Sequence, residues 1–378
     1  MLPALPRTFG RLTDVLASSL GAITGQDNRL GFSKANRVVN ILVDGLGAQN
    51  LKSAAGHAPF LNRALAASQS IACGFPSTTA ASITSFGTGL WAGAHGIVGY
   101  KVLERATGHV ANLLTGWGDA QLPEVWQPHQ TISQTAVSKG VEAVFIGPKA
   151  YSDSGFTRAT MRGARYVAAK TIDDRIDAAI ALLRDSRGSL LVYLYIPELD
   201  QIAHASGVDS SRWLAELEVV DSSVKRLSHA LAKGDALCLT ADHGVIDVPQ
   251  RGHIYLDEIS VDWSKVASVG GDPRVNFIYL NQEESVVEFR SQLEANLGDS
   301  VVVFGPQEAV AAGLYGPNVG EPALQRMPDI FALAVKKVAL YHRDFAPAKS
   351  VQMIGQHGGL SPQEMSIPLL AWGAFGSK

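Results

Sequence analysis

"RVVNILVDGLG", residues 37–47, decides how the rest of the chain is read. Five of its first seven positions are aliphatic and four are β-branched, the texture of a strand buried on both faces. The run then breaks at Asp44 into a Gly-x-Gly turn. A carboxylate is thus delivered just beyond the carboxyl end of a strand, where open α/β sheets collect their reactive groups. Gly45-Leu46-Gly47 is not a dinucleotide fingerprint, because the third glycine is misplaced and an Asp precedes the first.

Three more runs share this texture: Val141–Ile146, Leu190–Ile196 and Asp235–Thr240. Helical patterns lie between them. Thr171–Arg184 has apolar residues at helical spacing behind a Thr cap and acids in its first turn, and 210–233 is similar. Alternating strands and helices predict an α/β fold with a mostly parallel central sheet flanked by helices. After Asp247 the texture shifts to shorter strands (RVNFIYL, SVVVFG) and a helix at 284–297. The expected division is a core of residues 1–251 and 326–378, with a small inserted α+β subdomain at 252–325 that shapes the substrate side. The chain is read as returning to the core with DIFALAV, at 329–335, and ending on the apolar run Ile367–Trp372.

At 378 residues, 46% hydrophobic, the chain can bury a large core. A net charge of −3 and no basic stripe argue against a nucleic-acid polymer as partner. Cys73 and Cys238 sit in apolar surroundings and read as small buried fillers. Arg7, Arg11 and Asp14 interrupt any continuous apolar core near the start, so the first residues read as an amphipathic helix, not as a signal peptide, and no run of about eighteen apolar residues predicts a membrane span. The expected setting is cytoplasmic.

Three Asp and three His fall near strand ends or in Gly-rich turns: Asp44, Asp200, His204, Asp242, His243 and His357. Each alone has a plainer use as a cap, a turn former or a solvated pair. Together they say more. Asp200 and His204, four apart, face one way on a helix. Asp242 and His243 can both reach one ion if the chain turns at Gly244. Six such ligands suffice for two divalent metal ions with open positions. Carboxylate plus imidazole suits zinc, with manganese an alternative.

"FPSTTAASITSFGTGLWAGAHGIVGY", residues 75–100, is rich in Ser, Thr and Gly and carries no charge before His95. Thr78 and Thr79 precede an expected helix at Ala80–Gly87, whose first free N–H groups suit a phosphate. A Thr hydroxyl is a poor nucleophile until something lowers its pKa, as a metal ion can. Two ions side by side suit an in-line displacement at phosphorus.

These residues carry a resemblance. VDGLG at 43–47, the 75–100 stretch, YLYIPELDQIAHASG at 193–207, TADHGVIDV at 240–248 and GQHGGLSPQEMSIPLL at 355–370 are similar, in order, to the alkaline phosphatase superfamily. Within it they resemble the type I phosphodiesterase/nucleotide pyrophosphatase group. The resemblance implies an alkaline-phosphatase-like fold. It also implies a metal-dependent hydrolase of phosphodiester or phosphoanhydride bonds acting on a small, nucleotide-like phosphate ester. Asp44, Asp242 and His243, with the nucleophile, would hold one zinc, and Asp200, His204 and His357 the other. Thr88-Gly89-Leu90 sets the nucleophile at Thr79, with Thr78 as the register alternative, and a phosphothreonine intermediate that water hydrolyses.

The chain departs from the group where Ser82 occupies the position of a phosphate-binding Asn. As candidates to clamp a base there are Phe75, Tyr100, Trp117 and Tyr151. The rival readings are a phosphomonoesterase, a phosphonoacetate-hydrolase-like enzyme and, outside catalysis, a metal-binding scaffold. A sulfatase is disfavoured because Cys73-Gly74-Phe75-Pro76-Ser77 has one residue too many and lacks the Arg. A cofactor-independent phosphoglycerate mutase would bring a Ser nucleophile and a larger insert.

Overall fold

The computed structural model describes residues 2–118, 122–281 and 284–376. Its main strands are β1 Arg37–Val43, β2 Glu142–Gly147, β3 Arg165–Ala168, β4 Leu190–Ile196, β5 Asp235–Thr240, β6 Val266–Asp272, β7 Val275–Leu280, β8 Val301–Phe304, β9 Ile330–Ala334 and β10 Leu370–Gly373. Its longer helices are α1 Leu12–Thr24, α2 Thr79–Thr88, α3 Ile172–Asp185, α4 Glu198–Ser206, α5 Ser211–His229 and α6 Val286–Leu297.

The four aliphatic runs of the sequence become β1, β2, β4 and β5. They form one sheet in the order β10-β5-β1-β4-β2-β3. Every pairing in it is parallel except that of β10 with β5. β1 lies near its centre, buried from Val38 to Val43. The buried polar residue of β1, Asn40, accepts a hydrogen bond from Ser19 Oγ of α1 at 2.6 Å. Register then positions the site. Val43 pairs with Ile196 and Leu42 with Thr240, so β1, β4 and β5 end level. The segments leaving all three emerge along one edge.

The helices form where local chemistry dictates. Thr171 caps α3 by accepting from the Asp174 N–H at 3.1 Å, and the Asp174 carboxylate accepts from the Thr171 N–H at 3.0 Å. All ten residues of α2 are buried, which explains why that stretch carries no charge. Cys73 and Cys238 are buried and unpaired, as their apolar surroundings suggested. Among the described residues no helix is long and apolar enough to cross a membrane.

A second sheet is antiparallel, in the order β6-β7-β9-β8. It builds a smaller core around Ile278, Phe289, Leu293, Val301 and Ile330, with α6 packed on it. One expectation is corrected here. β9, read from sequence as the chain's return to the large sheet, pairs instead between β7 and β8. Its apolar pattern is the same in either sheet, so pattern alone could not assign it.

The two parts are joined by a buried ion pair. Arg274, in the turn between β6 and β7, donates to both oxygens of Glu364, at 3.1 and 3.0 Å. Neither side chain is more than 1% exposed. The Arg274 guanidinium also donates to the Lys336 and Val338 carbonyls, and Glu364 accepts from the Gly359 N–H at 2.8 Å and from Ser361 Oγ at 2.6 Å. The pair is thus bidentate and well satisfied on both sides.

Candidate active site

Asp44 is the first residue past β1, and Asp242-His243 follow β5 by one residue. β4 leads through Pro197 into α4, which carries Asp200 in its first turn and His204 in its last. His357 arrives from far along the chain, held where Ser77 and Gly358 form an isolated bridge. Two glycines permit the close approach of these segments. Gly45 has φ +72°, and a Cβ there would stand 3.1 Å from the Asp200 carboxyl. A Cβ on Gly244 would stand 2.0 Å from the Gln363 carbonyl oxygen.

The six expected ligands meet. His243 Nε2 lies 3.4 Å from Asp44 Oδ1 and 3.3 Å from Asp242 Oδ2. His204 Nε2 lies 3.2 Å from Asp200 Oδ2, and His357 Nε2 lies 4.0 Å from Asp200 Oδ1. The His243 and His357 rings stack with centroids 3.7 Å apart. Two tight groups of ligand atoms result: Asp200, His204 and His357, and Asp44, Asp200 and His243. They share Asp200, whereas the resemblance implied two separate triads with Asp242 in the first.

The imidazoles are set in one tautomer. Nδ1 of His204 donates to the Gly355 carbonyl at 2.8 Å, that of His357 to Ser77 at 3.0 Å, and that of His243 to Gly244 at 3.2 Å. A carbonyl only accepts, so each Nδ1 holds a proton; Nε2 of the neutral His243 and His357 then offers a lone pair to the site, and Nε2 of His204 does so once the proton it shares with Asp200 is displaced. The carboxylates match this. Asp44 Oδ1, Asp200 Oδ1 and Asp242 Oδ2 are buried with no hydrogen-bond partner. Buried acceptors left unpaired are costly, and lone pairs of this kind facing one spot are the donor set of a cation.

Electrostatics says the same. Burial, together with the neighbouring carboxylates, pushes the Asp44 carboxyl well up and that of Asp242 up to about 7. Burial would also raise Asp200, but the His204 charge, with smaller help from His357 and His243, outweighs it and holds the group well below the carboxylate range. His204 is pushed up to about 9, because the Asp200 charge overcomes the opposing effect of burial. Burial drives His243 and His357 down. Three carboxyl groups share one dry space, and positive charge placed among them relieves the repulsion.

Thr79 opens α2, with Thr78 as its N-cap residue. The Thr79 Oγ1 stands 3.2 Å from His243 Nε2, inside the cluster. The Thr78 side chain lies instead beside the Asp272 carboxyl.

A model of the family described as "Type I phosphodiesterase / nucleotide pyrophosphatase" matches residues 38–360. The chain belongs to that family. This phosphodiesterase is a phosphoric ester hydrolase, and its α/β architecture has close parallels among solved structures. The murine ectonucleotide pyrophosphatase / phosphodiesterase 5 superposes with a TM-score of 0.68 at 19% identity, over 89% of this chain and 87% of that one. The human protein of the same name gives 0.67 at 16% identity, over 90% of each chain. An inactive threonine-to-alanine variant of the murine protein, in complex with AMP, gives 0.67 at 18% identity, over 89% and 88%. At these identities the likeness establishes the fold. No curated protein sequence gives a match.

The phosphodiesterase cluster opens into a cavity of about 930 Å³, lined by Asp44, Thr79, Asp200, His204 and His357. Of the four aromatic candidates, Tyr100, Trp117 and Tyr151 line it. Phe75 does not. It is core, edge-on to Tyr315 at 5.4 Å. Ser82 lies one turn after Thr79 and, like Asp242 and His243, is not among the residues lining the cavity; its hydroxyl is buried without a partner.

Three cavity residues escaped the sequence reading. The Tyr195 hydroxyl donates a short hydrogen bond to Asp44 Oδ2, fixing which oxygen of that carboxylate stays free. Asp272 and Lys101 reach the cavity from β6 and from the short strand Lys101–Glu104. Only Tyr195 had a findable signal: it lies five residues before Asp200, on a strand ending at the site.

Proposed function

We propose that this chain hydrolyses phosphodiester or phosphoanhydride bonds of small, nucleotide-like esters through Thr79 and two divalent metal ions. The observation that carries the reading is Thr79 Oγ1 at 3.2 Å from His243 Nε2, at the start of α2 and amid three unpartnered carboxylate oxygens. Asp44, Asp242, His243 and Thr79 would hold one ion, and Asp200, His204 and His357 the other. Zinc suits these donors, with manganese the alternative. Such ions supply charge neutralisation at phosphorus and a lowered pKa for coordinated hydroxyl groups.

The chain's own residues do the rest. Thr79 Oγ1 gives up its proton to solvent as it attacks phosphorus, the bond to the leaving oxygen breaks, and that oxygen takes up a proton from solvent. Water then cleaves the phosphothreonine and restores the hydroxyl. The free N–H groups of the first turn of α2 face the phosphoryl oxygens. Ser82 is the candidate to add a hydrogen bond. The co-crystallised AMP of the murine relative supports a nucleotide-sized ligand, and the cavity has room for one. The α+β unit would shape the substrate side, to which it contributes Val269 to Pro273 and Asn276.

The test is turnover of a bis-aryl phosphate diester against the matching monoester on metal-replete protein. Thr79→Ala should lose at least about a thousandfold in kcat while metal analysis still finds two ions per chain. Thr78→Ala should remain active. If Thr78 proves essential and Thr79 does not, the nucleophile is displaced by one residue. A strong monoester preference would replace the diesterase reading with a phosphatase or phosphonate hydrolase.

A further inference from the structure

Three Lys or Arg side chains line the cavity: Lys101, Arg158 and Lys349. Arg158 is exposed and pairs with Asp153 at 3.0 Å. Lys349 is exposed on the rim. Lys101 differs from both. It is half-buried, and burial lowers the pKa of its ammonium group. Among the described residues no carboxylate lies within ion-pair distance of it and no acceptor takes a hydrogen bond from it. Asp272 attracts it from beyond ion-pair distance, with its Oδ2 buried and unpartnered and its carboxyl placed beside the Thr78 hydroxyl and the ligand loop at Gly358. Lys101 therefore stays an unspent cation on a cavity wall that also carries Tyr100.

A half-buried ammonium without a partner is costly, and a bound anion removes the cost. The phosphoryl group undergoing transfer does not need it, because the metal cluster and the start of α2 already face that group. We infer that Lys101 forms a separate subsite for a second anionic group of the substrate, a carboxylate or a further phosphate, on a group attached to the scissile phosphate. The inference rests on the proposed hydrolase reading and narrows its substrate class. The preferred ester is one whose attached group carries its own negative charge.

The test uses three 4-nitrophenyl phosphate diesters that differ in the second arm: phenyl, 4-carboxyphenyl and 4-phosphonophenyl. Wild type, Lys101→Met and Lys101→Arg are compared as metal-replete proteins of equal metal content and melting temperature. Wild type should favour an anionic arm in kcat/KM. Lys101→Met should cut the anionic-to-neutral ratio about 10- to 100-fold, and Lys101→Arg should restore most of it. Which anionic arm shows the effect separates a carboxylate from a phosphate ligand. Equal losses on all three diesters, or none, would overturn the subsite.

Binding keeps the two readings apart. The same three esters are titrated calorimetrically into Thr79→Ala with and without Lys101→Met. If no diester is hydrolysed by wild type, the hydrolase reading falls. Tighter binding of an anionic arm that Lys101→Met abolishes would still establish the subsite, and equal binding of all three would refute it.

Discussion

Tyr195→Phe removes one hydroxyl and leaves the ring in its tilted contacts with Tyr151 and Tyr193. Asp44 Oδ2 then loses its donor, and the carboxylate is free to rotate. Outer hydrogen bonds of this kind commonly govern metal affinity by about 10- to 100-fold. We expect that loss in a chelator competition, with an almost unchanged melting temperature. Unchanged metal retention would reduce Tyr195 to packing. Asp272 gives a pH effect of known sign. Burial pushes its carboxyl from 3.8 up to about 7, so the folded state holds a proton that the unfolded state releases. Its contribution to stability is full below about pH 4 and is lost as pH rises through about 7. Asp272→Asn should therefore gain stability relative to wild type between about pH 5 and 8, read from urea midpoints. The metal-ligand candidates were legible because each sits in a polar motif near a strand end or between glycines. Tyr195 carried only its place near the end of a strand five residues before Asp200, and inside an aliphatic run a tyrosine reads as core. Asp272 and Lys101 were not legible, since nothing in their spacing ties them to the other segments.

Elements differ in how much of their cause is local. α3 was legible because its cap, its acids and its apolar spacing all lie within fifteen residues. Thr171→Ala should cost about 1 kcal/mol in urea unfolding and leave turnover alone, since the cap lies away from the cavity. The turn after β5 is the opposite case. Gly244 looked like an ordinary turn glycine, yet its constraint is the Gln363 carbonyl, more than a hundred residues away. Gly244→Ala should cost at least about 2 kcal/mol and displace His243, so that metal content falls together with stability. A variant that keeps both would show that the turn can shift at little cost.

Across the whole molecule, the large parallel sheet was legible and the attachment of the small one was not. Strand texture revealed β1, β2, β4 and β5, and their alternation with helices marked the sheet as mostly parallel. β9 was assigned to the wrong sheet because only its partners distinguish the two. The joint itself, Arg274 with Glu364, spans 90 positions of sequence. Removing one member leaves a buried charge unpaired, so Arg274→Met should cost about 3–5 kcal/mol by urea unfolding. It should also free Gly359 and loosen the segment carrying His357. Adding Glu364→Gln should recover part of the loss. If the double variant is no better than the single, the pair's worth lies in its carbonyl contacts.

His357 is anchored to Ser77 across 280 positions of chain. During synthesis, the cradle for Thr79 is therefore finished only after residue 357 has left the ribosome. The growing chain exposes a reactive hydroxyl early but gains its last imidazole late. A product terminated before residue 357 would lack one member of the ligand cluster. The order of the ligands along the chain thus ties competence to synthesis past residue 357.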